Sequence, residues 1–118
     1  MQRPDPFELF CFYNLGIDRN GWYKFRNLRE TARYFGTSSE QIMKWLQEDH
    51  IDPETVRKVD FNLSKAHVDI QILSYTAPKE EILAAARERF NAYLEALKRS
   101  SLKEYYFDMD YEDPFKKD

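Results

Sequence analysis

Cysteine, histidine and glycine are scarce in this sequence, and each shortage removes a class of protein. A single cysteine, Cys11, forms no internal disulfide, which excludes a disulfide-stapled scaffold. Flanked by Phe10 and Phe12, it reads as a small buried apolar residue. With one cysteine, the two histidines, His50 and His67, do not make the spaced ligand set of a zinc site, so no metal is expected. Three glycines leave no glycine-rich phosphate loop, and no cofactor is expected. Ser38 and Ser39 have no histidine close in sequence to activate them, and helix capping explains them better. The chain is therefore not expected to be an enzyme.

Long apolar runs are missing as well. No stretch approaches the roughly 18 residues of a membrane span. The opening residues, Met1 to Pro6, lack a signal-peptide layout, because the apolar stretch after them is interrupted by Glu8. A cytoplasmic protein is the expectation. Nor is there an excess of positive charge. A formal charge of −3 and a pI near 5.5 argue against coating nucleic acid by electrostatics alone.

What is present suffices for one compact domain. The chain has 118 residues, 42% of them apolar and 16% aromatic, so a core can form. Asp5-Pro6-Phe7-Glu8 reads as a helix start with Glu8 closing a capping box, and Gly16 suits the stop. Asp18 to Gly21 is a turn signal, and Trp22, Phe25 and Leu28 carry apolar weight through the next connection. Asn27 with Glu30 caps a helix ended by Gly36, Ser38 caps one running to about Gln47 or Glu48, and Asp52-Pro53 opens a short one. Between Val59 and Tyr75 two patterns compete. Alternating Val59, Phe61, Leu63, then Val68, Ile70, Ile72 suit a β-hairpin over 59–73. Leu63, Ala66, Ile70 and Leu73 instead form one helical stripe, and no tight-turn glycine separates the runs, so helix is favoured.

From Pro78 to about Arg99, Leu83, Ala86, Phe90, Leu94 and Leu97 make a helical stripe. It packs on a bundle or, flanked by Arg87, Glu88 and Arg89, forms a homodimer seam over residues 78–99. Residues 102–118 interleave Tyr105, Tyr106, Phe107, Tyr111 and Phe115 with acids, and are read as a C-terminal tail to a domain of residues 1–101. Such a tail can dock on a basic, apolar groove of a partner, or fold back over Arg26 to Arg33 and compete with DNA. The fold class expected is all-α, a small bundle of five to six helices.

Leu28 to Leu46 reads LRETARYFGTSSEQIMKWL. Two short helices crossing tightly need a small residue at the crossing, Ala32. They also need a turn residue tolerant of positive φ, Gly36, and apolar side chains for a shared core, Phe35, Ile42 and Trp45. In those positions, and in the turn pair Thr37-Ser38, residues 27–47 resemble the helix-turn-helix superfamily of bacterial regulators. The resemblance implies that the second helix enters the major groove of double-stranded DNA, with Ser38, Ser39, Glu40, Met43, Lys44 and Gln47 outward as base contacts. Lys24, Arg26, Arg29 and Arg33 would meet phosphates. From Arg19 to Lys44 there are six basic residues and two acidic, a local excess in an acidic chain. Glu40 and Glu48 depart from the usual pattern, since a carboxylate near the groove repels phosphates.

Two functions follow as expectations: a DNA-binding transcriptional regulator or accessory factor, and a protein-interaction module on the same scaffold with a partner-binding tail. The segment Asp108 to Phe115 also looks like the acidic, phenylalanine-ended tails of bacterial single-stranded-DNA-binding proteins. Here, though, Lys116-Lys117-Asp118 follow the phenylalanine.

Overall fold

The computed structural model describes residues 3–109, with side chains through residue 100. It is an all-helical bundle, and among the described residues it contains no strand, only an isolated antiparallel bridge between Ile17 and Tyr23. Among the described residues no helix is long and apolar enough to cross a membrane.

The first helix, α1 (Pro6–Leu9), runs directly into a wider π-type turn over Phe10–Leu15. Asp5 caps it by accepting the Phe7 N–H at 3.0 Å, and Pro6 occupies the first turn, where no N–H is required. Glu8 does not close the expected capping box; its carboxylate pairs with Arg19 across the following loop. The π turn is the centre of the protein. Leu9, Phe10, Phe12 and Leu15 are all but fully buried, and the segment touches α2, α5 and α6. Gly16 ends it at φ +85°, a conformation costly to any residue with a Cβ.

The next pair, α2 (Leu28–Phe35) and α3 (Ser39–Glu48), forms where the capping residues stand. Asn27 and Glu30 make a reciprocal capping box, Gly36 turns the chain at φ +72°, and Ser38 Oγ accepts the Gln41 N–H. Ala32 and Ile42 are buried and Trp45 is 9% exposed, so both helices meet through small and apolar residues. The end of α3 has no glycine; His50 takes the left-handed conformation there at φ +61°. Asp52 caps α4 (Pro53–Lys58) through Thr55 N–H, which accounts for a buried carboxylate.

Residues 63–76 form α5 (Leu63–Thr76), so the hairpin alternative over 59–73 does not occur. The helical stripe prevails because Ala66 and Ile70 enter the core with Leu63 and Leu73 packed beside them, while Asn62 caps the first turn. The last helix, α6 (Lys79–Met109), continues past the Ser100-Ser101 pair where the sequence suggested an end. Its buried stripe is Ile82, Ala86, Phe90, Tyr93 and Ala96, rotated from the one read in the sequence. Leu94 is 40% exposed, and Leu83 and Leu97 only flank the core. The tail beyond Met109 lies outside the described residues.

Candidate functional site

Two surfaces compete for attention: the basic α2–α3 face singled out in the sequence, and an apolar face built from the loop after Gly16 together with α5.

On the first, the ten residues named as DNA contacts do not form one free set. Ser38 is exposed, but its hydroxyl is committed to capping α3. Ser39 and Met43 are half-buried, and Met43 packs against the core. Glu40, Lys44 and Gln47 are exposed at spacings of four and three, hence on one side of α3. Lys24 reaches the Glu30 carboxylate at 2.7 Å. That bond, with the Asn27 backbone N–H next, holds the Glu30 carboxyl below its usual range. Arg26 turns inward. Its guanidinium donates to the Lys24 and Trp22 carbonyls at 3.0 and 3.2 Å and lies 4.3 Å over the Phe12 ring. Of the four expected phosphate contacts, only Arg29 and Arg33, one turn apart on α2, project into solvent without an ion pair among the described residues. At the far end of α3, Arg3 bonds to Glu48 and Asp49.

The second surface escaped the sequence reading. After Gly16 the chain doubles back in a loop held by backbone bonds from Lys24 N–H to Gly16 and from Asp18 N–H to Trp22. The Tyr23 side chain turns toward α5, where its hydroxyl and His67 Nε2 share a hydrogen bond, while His67 Nδ1 lies 3.0 Å from the Asn14 carbonyl. With Tyr23 and Arg26 tied down, Trp22 and Phe25 are left facing outward, 71% and 72% exposed. On α5, Val68, Ile72 and Tyr75 repeat at four and three residues and are 47%, 58% and 69% exposed. The loop lies along this stripe. Phe25, His67 and Val68 line one cleft, and Trp22, Tyr23 and Tyr75 line another. The outcome is a run of three aromatic and two aliphatic side chains open to water. A signal was present in the sequence: α5 carries more apolar residues than one core stripe can use. Leu63, Ala66, Ile70 and Leu73 account for the core, which leaves a second stripe unassigned.

The cleft at the α4–α5 end has a volume of about 690 Å³. Its walls include Val56, Val59 and Phe61. Arg26 and Arg57 stand at it, and no aspartate or glutamate lines it. Asn14, on its inner wall, donates through Nδ2 to the Ile51 carbonyl, while its Oδ1 is buried with no partner among the described residues.

Burial pushes the Cys11 thiol up to about 12, keeping it protonated and inert. Among the described residues no three His, Cys, Asp or Glu side chains converge as metal ligands. No family model, curated protein or solved structure matches the chain.

Proposed function

We propose that this chain is a protein-interaction module that binds its partner through the apolar face of Trp22, Phe25, Val68, Ile72 and Tyr75. The observation that carries this reading is their joint exposure. Five large apolar side chains grouped on one side cost solvation free energy in the isolated chain, about 25 cal/mol for each Å² that a partner could cover. Aromatic anchors of this kind dominate binding energy where a partner encloses them. The face is also firmly held. The loop that carries Trp22 and Phe25 is fastened at Gly16, Arg26 and Tyr23, so little ordering entropy remains to be lost on binding.

A benzophenone photo-crosslinker in place of Ile72, compared with one in place of Gln47, tests the reading in cells that express the chain. The expected result is a discrete protein adduct from position 72 and none from 47. Adducts from 47 alone would move the working surface to α3.

A second reading, DNA binding through the α2–α3 pair, is favoured by Arg29 and Arg33, two exposed cations on α2 without an ion pair among the described residues, and by the exposed Lys44 on α3. It is weakened by the inward turn of Arg26 and by Glu40 on the outer side of α3. On this reading the chain retards a genomic DNA pool at low salt, and Arg29→Glu with Arg33→Glu abolishes the retardation.

A further inference from the structure

The cleft between the Trp22–Arg26 loop, α4 and α5 has a composition that selects its occupant. Its walls are aromatic and aliphatic, its charged groups are Arg26 and Arg57, and it contains no carboxylate, although the chain as a whole is acidic. Arg26 is already bonded to backbone carbonyls, whereas Arg57 is exposed and makes no ion pair among the described residues. An apolar trough with an unspent guanidinium at its edge suits a segment that alternates carboxylates with aromatic rings: the rings fill the trough and a carboxylate meets Arg57.

The chain itself contains such a segment. Beyond Met109 come Asp110, Tyr111, Glu112, Asp113, Pro114 and Phe115, three acids and two aromatic rings. Docking into its own copy of the cleft would need the tail of the same chain at full stretch. Phe61 at the cleft packs on Tyr93, with ring centroids 5.3 Å apart. From Tyr93 to Met109 the helix α6 advances about 24 Å at 1.5 Å per residue. Even fully extended, the backbone from Met109 to Phe115 covers at most about 21 Å. The cleft also lies to the side of α6, which lengthens the path further.

We infer that the cleft takes residues 110–115 of a second copy of this chain, with Phe115 or Tyr111 in the apolar trough and a tail carboxylate on Arg57. The inference rests on the reading of this side of the molecule as a protein-binding surface and names one partner for it. Exchange of tails between two copies gives a closed pair, and a one-way chain of such contacts gives longer assemblies.

The test uses a full-length receiver carrying Tyr111→Ser and Phe115→Ser, which leaves its cleft free. A synthetic peptide of residues 106–118 is titrated into the isotope-labelled receiver, and amide shifts are followed by NMR. Saturable shifts are expected at Phe25, Arg57 and Val68. Arg57→Glu, an exposed substitution checked by circular dichroism, should weaken binding at least about tenfold, as should high salt. In parallel, the unaltered chain should gain mass with concentration in sedimentation experiments, and the Tyr111→Ser, Phe115→Ser chain should not. No shifts at millimolar peptide, shifts elsewhere, or concentration-independent behaviour of the unaltered chain overturns the inference. If the peptide fails while the crosslinker at position 72 still captures a protein, self-docking falls and the module reading stands. If both fail, both fall.

Discussion

The Tyr23 hydroxyl hydrogen-bonds to Nε2 of His67, joining residues 44 positions apart and fixing the loop after Gly16 against α5. His67 in turn reaches the Asn14 carbonyl through Nδ1, so the loop, the central π turn and α5 are held at one ring. The apolar face depends on this point, because Trp22 directly precedes Tyr23 in the chain and Phe25 follows two residues later. Tyr23→Phe removes the hydroxyl alone. It should lower unfolding free energy by about 1 kcal/mol in urea titration and reduce crosslinking from position 72. Unchanged stability would show that the bond does not hold the loop.

Gly16 is the loop's other anchor. At φ +85° an added Cβ would sit 2.8 Å from the Lys24 carbonyl oxygen and 2.8 Å from the Tyr23 ring. Gly16→Ala is therefore expected to cost about 3 kcal/mol, from left-handed strain plus displacement of the loop. Gly36→Ala faces left-handed strain at φ +72° and should cost about 1 kcal/mol. Thermal unfolding of the two variants side by side checks the order, and a milder effect at Gly16 contradicts it.

Arg26 and Arg29 stand three residues apart in the sequence yet have different work. Arg26→Ala loses hydrogen bonds to Trp22 and Lys24 and the stacking on Phe12, and should destabilise by about 1–2 kcal/mol. Arg29→Ala, on an exposed face, should stay within about 0.5 kcal/mol of the parent. Denaturant midpoints for the pair decide this.

Capping chemistry was the part of the fold most legible in the sequence. Asn27 with Glu30, Ser38, Asp52, Gly16 and Gly36 all stand where a helix begins or ends, because each satisfies backbone groups by local geometry. What periodicity could not give was the choice between two apolar stripes on one helix. On α6 the stripe through Leu83 and Leu94 looked as apolar as the one through Ile82 and Tyr93, and only tertiary packing selects the latter. On α5 the same ambiguity concealed Val68, Ile72 and Tyr75 among residues that resembled core. The inward turn of Arg26 was equally hidden, since it is set by carbonyls of a loop whose path the sequence does not specify. The π turn at Phe10–Leu15 left no sign beyond a density of apolar residues.

Alkaline pH should unfold the protein through two buried groups. Burial pushes Cys11 from 9.0 and Tyr93 from 10.0, each up to about 12. The folded chain holds these protons more tightly than the unfolded chain does. Their contribution is complete below pH 9 and is lost as pH climbs toward 12, amounting to several kcal/mol in all. Unfolding free energy measured from pH 8 to 11 should therefore decline, and native Cys11 should react slowly with a thiol reagent at pH 8. A flat profile with rapid labelling contradicts the burial of both groups.

The central claim concerns what the exposed apolar residues are for, and photo-adduct yield from position 72 tests it most directly. The comparison is between the parent sequence and a chain carrying Phe25→Asp and Tyr75→Asp. Both substitutions lie on exposed side chains, so helix content and melting should be unchanged. If the face binds a partner, the discrete adduct formed by the parent disappears in the substituted chain. Equal yields from both chains, with the fold intact, would contradict the claim.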